Sequence, residues 1–175
     1  MEKKSQIDLQ RKNIQEFKDS KKIPIVLVLD DLRSALNVGS AFRTADAFQL
    51  EKIIICGISA QPPHREILKT ALGAELTVDW SYFQNTIDAI EYLKSNGHLI
   101  ASVEQVKGSL SLEKTNWNFE PLALVFGNEV NGVKEEVINA SDFCIEIPQM
   151  GTKHSLNVSV SIGICTWNFV SKMLT

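Results

Sequence analysis

Three short stretches hold the residue types that could do polar chemistry at a strand end: residues 37–43 in NVGSAFR, 127–132 in GNEVNG, and 151–157 in GTKHSLN. Together they bring amide, guanidinium, carboxylate and hydroxyl groups, a mix able to bind a polar ligand and stabilise developing negative charge. None matches a nucleotide-binding signature. Val133 separates Gly132 from Lys134, where a phosphate loop needs Gly-Lys followed by Ser or Thr, and no GxGxxG occurs. Taken singly, Glu129 reads as a solvated loop acid, Arg43 as a surface or ion-pair residue, and Asn157 as satisfied by local backbone. Adjacent Asp30 and Asp31 read as paired carboxylates or as cap residues closing a strand. His64, His98 and His154 are scattered, and Cys56, Cys144 and Cys165 each lie in an apolar run. This pattern predicts no metal site and three reduced, buried thiols.

Those stretches need elements to hold them. Residues 25–29 (IVLVL) read as a strand buried on both faces, and further strands are expected at 53–57, 76–80, 98–103, 122–126 and 143–147. An amphipathic helix is expected over residues 5–17, through Ile7, Ile14 and Phe17. A second helix should follow a turn at Asn37 and Gly39, with Ala41, Phe42, Ala45 and Phe48 inward and Arg43 near its start. Further helices are expected at 66–72, around Ile87, Ile90 and Leu93, and at 134–140. The last helix is expected to take Ser155 as its N-cap, with Ser155, Ser159 and Gly163 making a face of small residues. Alternating strands and helices predict an α/β fold with a mainly parallel sheet and helices on both faces. Ligands bind such sheets beyond the carboxyl ends of the strands, so the three polar stretches are expected to share one site.

Composition sets the bounds. At 175 residues, with 44% hydrophobic and 22% charged residues, the chain fits one domain with a substantial core. No apolar run approaches the ~20 residues that span a bilayer, and MEKKSQIDLQ has no apolar signal region, so a cytoplasmic protein is expected. A net charge of −3 hides an asymmetry. Residues 1–22 hold seven Lys or Arg against four acids, while the remainder holds eleven against seventeen. The basic excess at one end reads as an RNA-facing arm or a solvated helix.

In order along the chain, NVGSAFRTADAF, LVFGNEVNGV and IPQMGTKHSLNVSVS resemble the three motifs of the SpoU, or TrmH-like, branch of the SPOUT RNA methyltransferases. TALGAE at residues 70–75 is similar to another stretch that recurs there, and the resemblance covers the chain from Ile25 onward. It implies a single SPOUT domain with a C-terminal deep trefoil knot, working as a homodimer. It also implies methyl transfer from S-adenosylmethionine to a ribose 2′-hydroxyl of RNA, with tRNA favoured over rRNA. By motif position Gly127, Ile147 and Leu156 match cofactor contacts, and Asn37, Arg43, Glu129, Ser155 and Asn157 match the polar set around the reacting centre. Arg43 is expected to hold phosphate and developing alkoxide, and Glu129 to orient Arg43 or accept the proton through water. The basic N-terminal segment is the expected extra RNA contact. Retention of the polar set disfavours a non-catalytic RNA-binding module, and SLNVSV disfavours base methylation.

Overall fold

The run IPIVLVLD forms β1 (Ile23–Asp30), whose residues from Ile25 onward are completely buried. Continuous rather than alternating apolar character is what a strand covered on both faces requires. Ile25, Leu27 and Leu29 enter one core, and Val26 and Val28 the other. A computed structural model describes residues 2–4, 8, 11–118 and 120–174. Around β1 the chain runs α1 (Ile14–Asp19), β1, α2 (Ala35–Ala47), β2 (Leu50–Cys56), α3 (Arg65–Ala71), α4 (Ala74–Thr77), β3 (Trp80–Phe83) and α5 (Thr86–Ser95). It continues through β4 (Leu99–Val103), β5 (Leu110–Ser111), β6 (Leu122–Phe126), α6 (Glu135–Ala140), β7 (Phe143–Glu146) and α7 (Val158–Ser171).

Seven strands form one sheet in the order β3-β2-β1-β6-β4-β7-β5, every neighbouring pair parallel. Side chains of α2, α3 and α7, with Phe17 of α1, pack on one face around Leu27, Phe42, Ile55, Ile162 and Phe169. On the other face α5 and α6 cover Val26, Val28 and Ile54 through Ala89, Leu93 and Val137. The expected layering is therefore present. Among the described residues no helix is long and apolar enough to cross a membrane, and no cluster of His, Cys, Asp and Glu could hold a metal.

Several local expectations are corrected. Asn37 and Gly39 lie inside α2 rather than in a turn before it, because Ser34 caps that helix by accepting from the Asn37 N–H. Gly39 serves packing: a Cβ there would stand 2.4 Å from the Ile67 carbonyl oxygen and 2.1 Å from Thr70 Oγ1. Residues 76–80 are not a strand. Gly73, at φ 94°, starts the short α4, and β3 begins only at Trp80. Helix α7 starts at Val158, capped by Asn157 through the Ser159 N–H, so Ser155 lies in the preceding loop and outside the small-residue face. At the N-terminus α1 begins at Ile14 behind an Asn13–Glu16 capping box, Ile14 is half exposed, and Ile7 lies outside the described residues. The two-residue β5 had no signal in the sequence. Cys56 and Cys165 are buried as expected, and Cys144 is half-buried.

Candidate active site

The turns leaving β1, β6 and β7 meet at the carboxyl end of the sheet. Glu129, in the turn after β6, ties the first two together: its carboxylate accepts from the Arg33 N–H (2.8 Å), the Ser34 N–H (3.0 Å) and Asn37 Nδ2 (2.8 Å). Partial burial pushes the Glu129 pKa up, and these donors more than offset it, holding the carboxyl below its ordinary value. Asn37, itself buried, accepts a long 3.4 Å bond from Asn157 Nδ2, which brings in the third turn. Asn157 uses its other amide atom, Oδ1, to cap α7.

The turn from Gly127 to Lys134 is held on both sides. Asn128 Oδ1 accepts from the N–H groups of Val130 and Asn131, closing the turn on itself, and Asn128 exchanges two backbone bonds with Gly132. Toward β1, Asn128 Nδ2 donates to the Asp31 carbonyl (2.7 Å) and Lys134 Nζ lies 2.6 Å from Asp31 Oδ2. Toward β4, the Val133 N–H donates to Glu104 Oε2 (2.9 Å). Gly127 is required by close approach, since a Cβ there would fall 2.2–2.4 Å from the backbone of Gly132 and Val133.

Between this turn and the loop after β7 lies a cavity of about 730 Å³, within the range of small-molecule sites. Gly127, Ile147, Ser155 and Leu156 line it, together with Glu129 and Asn157. Phe126, Ile145, Leu156 and Val158 give it apolar surface, and Glu104, Glu129 and Glu146 give it three carboxylates. No Lys or Arg lines it among the described residues. Arg43 does not. It is exposed on α2, and six residues beyond Asn37 a helical side chain points about 240° away around the axis. Sequence reasoning missed Glu104, Asn128, Arg33 and the Asp31–Lys134 pair. Glu104 follows an apolar strand directly, so asking which polar residue closes each strand would have found it. Burial pushes the Cys56 and Cys165 thiols up to about 12, so neither is a nucleophile at neutral pH.

Residues 24–167 match the SpoU rRNA Methylase family. The chain belongs to that family. It is 33% identical over 167 residues to an uncharacterized tRNA/rRNA methyltransferase of Borreliella burgdorferi, covering 94% of this chain and 72% of the relative. A tRNA (guanosine(18)-2′-O)-methyltransferase of the same organism is 27% identical over 149 residues, covering 85% of this chain and 67% of the relative. The AdoMet-bound rRNA methyltransferase of Sinorhizobium meliloti superposes with a TM-score of 0.80 at 25% identity, covering 91% of this chain and 60% of that one. The SpoU fold thus accounts for the parallel sheet and for the gathering of the three turns.

Proposed function

We propose that this SpoU protein is an S-adenosylmethionine-dependent RNA ribose 2′-O-methyltransferase, with tRNA as the favoured substrate and rRNA second. The observation that carries the reading is the junction at which Glu129 and Asn157, from two separate turns lining one cavity, both bond to Asn37 in the first turn of α2. Relatives named for 2′-O-methylation of tRNA and for AdoMet binding support it.

The cavity fits the cofactor. Gly127 and the backbone of its turn allow close approach, apolar walls at Ile147 and Leu156 suit an adenine ring, and three carboxylates with no lining Lys or Arg suit a cationic ligand. When bound, the cofactor supplies an electrophilic methyl group on a sulfonium centre. The protein then has to place the ribose hydroxyl and handle its proton. Glu129, kept ionised by three N–H donors, is a weak base, and its part is to orient the hydroxyl while the proton passes to water. Asn37 and Asn157 hold the turns in register, and Ser155 stands at the cavity mouth to contact substrate.

Arg43 stabilises the developing alkoxide from outside its own protomer's cavity, which requires a second copy. Leu36, Ser40, Arg43 and Ala47 form one stripe on the outer side of α2, and Val160, Ile164 and Trp167 form an exposed apolar stripe on α7, which packs beside it. A homodimer through these helices is the proposed assembly, and Trp167→Glu should yield monomers in sedimentation; an unchanged mass would remove this interface. The family's knot is also proposed. The sheet order supports it, since the chain crosses from β6 past β4 to β7 with α6 on one face, and α7 then returns on the other face, beside α2. Stretching single molecules tests it, because a knotted chain falls short of full contour length.

Incubation with labelled cofactor and bulk tRNA or rRNA, followed by nucleoside analysis, decides the function. Label in 2′-O-methylnucleosides is expected, and label confined to bases would refute the reaction.

A further inference from the structure

Glu129 is a wall common to two hollows. One is the large cavity; the other, of about 330 Å³, opens beside the start of α2 and is lined by Arg33, Ser34 and Glu129. The Arg33 side chain takes no part in the bonds that join Glu129, Asn37 and Asn157. Its backbone N–H is fixed on Glu129 Oε2, so the side chain springs from a point held beside the carboxylate. The guanidinium is exposed and forms no ion pair with any described acid. The backbone amides of Arg33 and Ser34 are both taken by Glu129, so the cationic group that Arg33 brings to the lining of this hollow is its side chain.

An ionised carboxylate offers about four lone-pair positions. Donors from other residues place two bonds on Glu129 Oε1 and one on Oε2, and the residue's own N–H also bears on the carboxylate, so Oε2 is the oxygen with room to accept from a hydroxyl. A hollow with one open acceptor and one adjacent guanidinium suits a ligand carrying a hydroxyl and an anion on neighbouring atoms. In RNA the 2′-hydroxyl and the 3′-phosphodiester stand on adjacent carbons of one ribose. Resting on the ribose-methylation reading above, we propose that this hollow is the acceptor-nucleotide subsite, where Glu129 accepts the 2′-hydroxyl and Arg33 holds the phosphate 3′ to it. DNA has no hydroxyl to offer, and a methylated ribose has lost the O–H, so the subsite disfavours both DNA and product. A planar guanidinium can meet two phosphate oxygens at once, which fixes the sugar's orientation as a lysine would not.

The test uses the full chain with a tRNA or rRNA preparation it methylates, measuring RNA affinity at two or more salt concentrations and transfer from labelled cofactor. Arg33→Ala is expected to weaken RNA binding about tenfold and to reduce the salt slope by about one. Cofactor affinity by calorimetry and the melting temperature should stay at wild-type values, since the side chain is exposed. Arg33→Lys is expected to restore the salt slope while recovering only part of the transfer rate. Unchanged affinity and slope in Arg33→Ala, with an active wild type, would overturn the subsite alone. A wild type that transfers no methyl to ribose would overturn the ribose reading and the subsite with it.

Discussion

Two loops face each other across the cavity and are built in opposite ways. The turn after β6 is fastened to both neighbouring strands, through Asp31 at the end of β1 and Glu104 at the end of β4, and its own backbone is closed by Asn128. In the loop after β7, residues 148–157 are all exposed, and a described tie to the rest of the sheet is the 3.0 Å bond from Gln105 Nε2 to the His154 carbonyl. Sheet order explains the difference. Strand β6 lies between β1 and β4, so its turn has a partner on each side, whereas beyond β7 stands only the two-residue β5. A site made of one fixed wall and one lightly held wall sets its geometry on the first and adjusts to its ligand with the second.

The sharpest way to break the contrast is to add one methyl group to each wall. Gly127→Ala meets backbone at 2.2–2.4 Å, so it should destabilise the fold by about 3 kcal/mol and abolish cofactor binding in calorimetry. Gly151→Ala meets nothing within 4 Å and should leave both unchanged. Equal effects at the two glycines would end the distinction.

Next come the two aspartates at the end of β1, which should respond with opposite signs. For Asp31, burial raises the pKa, but Lys134 and the Ile58 N–H outweigh it and hold the carboxyl below its ordinary 3.8. Its stabilisation is therefore complete above that value and is lost as pH falls through the lower folded one. Asp30 is wholly buried, and burial lifts its pKa despite the 2.5 Å hydrogen bond donated by Thr86 Oγ1. Its contribution runs the other way, present in acid and lost as pH rises through the folded value. In urea denaturation at neutral pH, Asp31→Asn should cost about 1 kcal/mol and Asp30→Asn should gain about as much. Loss of stability in both would mean that the Asp30 charge is better solvated than its burial implies.

Glu104→Gln keeps an acceptor for the Val133 N–H but removes one of three negative charges from the cavity wall. S-adenosylmethionine should then bind about three- to tenfold more weakly, while the uncharged thioether product should bind nearly as before. Parallel loss for both ligands in calorimetry would make Glu104 purely a support for the turn. Smallest of all, Gln105→Ala removes an exposed tie of the lightly held wall and should change stability by less than about 0.5 kcal/mol.

The strands were legible because burial on both faces demands unbroken apolar runs, and β1 and β6 carry them. Helix phase was not. Gly39 looks like a turn residue until Ile67 and Thr70, about thirty residues away, come to rest against it. Once α2 starts at Ala35, Arg43 is turned away from Asn37, a rotation that no local pattern encodes. Ser155 and Asn157 are both good caps, and the path of the chain out of β7 selected Asn157. The convergence of the turns was readable from the alternation of strands and helices, which puts every strand-to-helix turn of a parallel sheet at one end, whereas Glu104 and Asp31 gain their meaning only from the strands between which β6 is inserted.

The sheet finishes in strands of four residues at one margin and two at the other, β3 and β5. Such short margins offer a neighbouring molecule very few open peptide groups, so an extra strand gains little by adding there. Fibre-like growth by strand addition is thereby disfavoured at both margins.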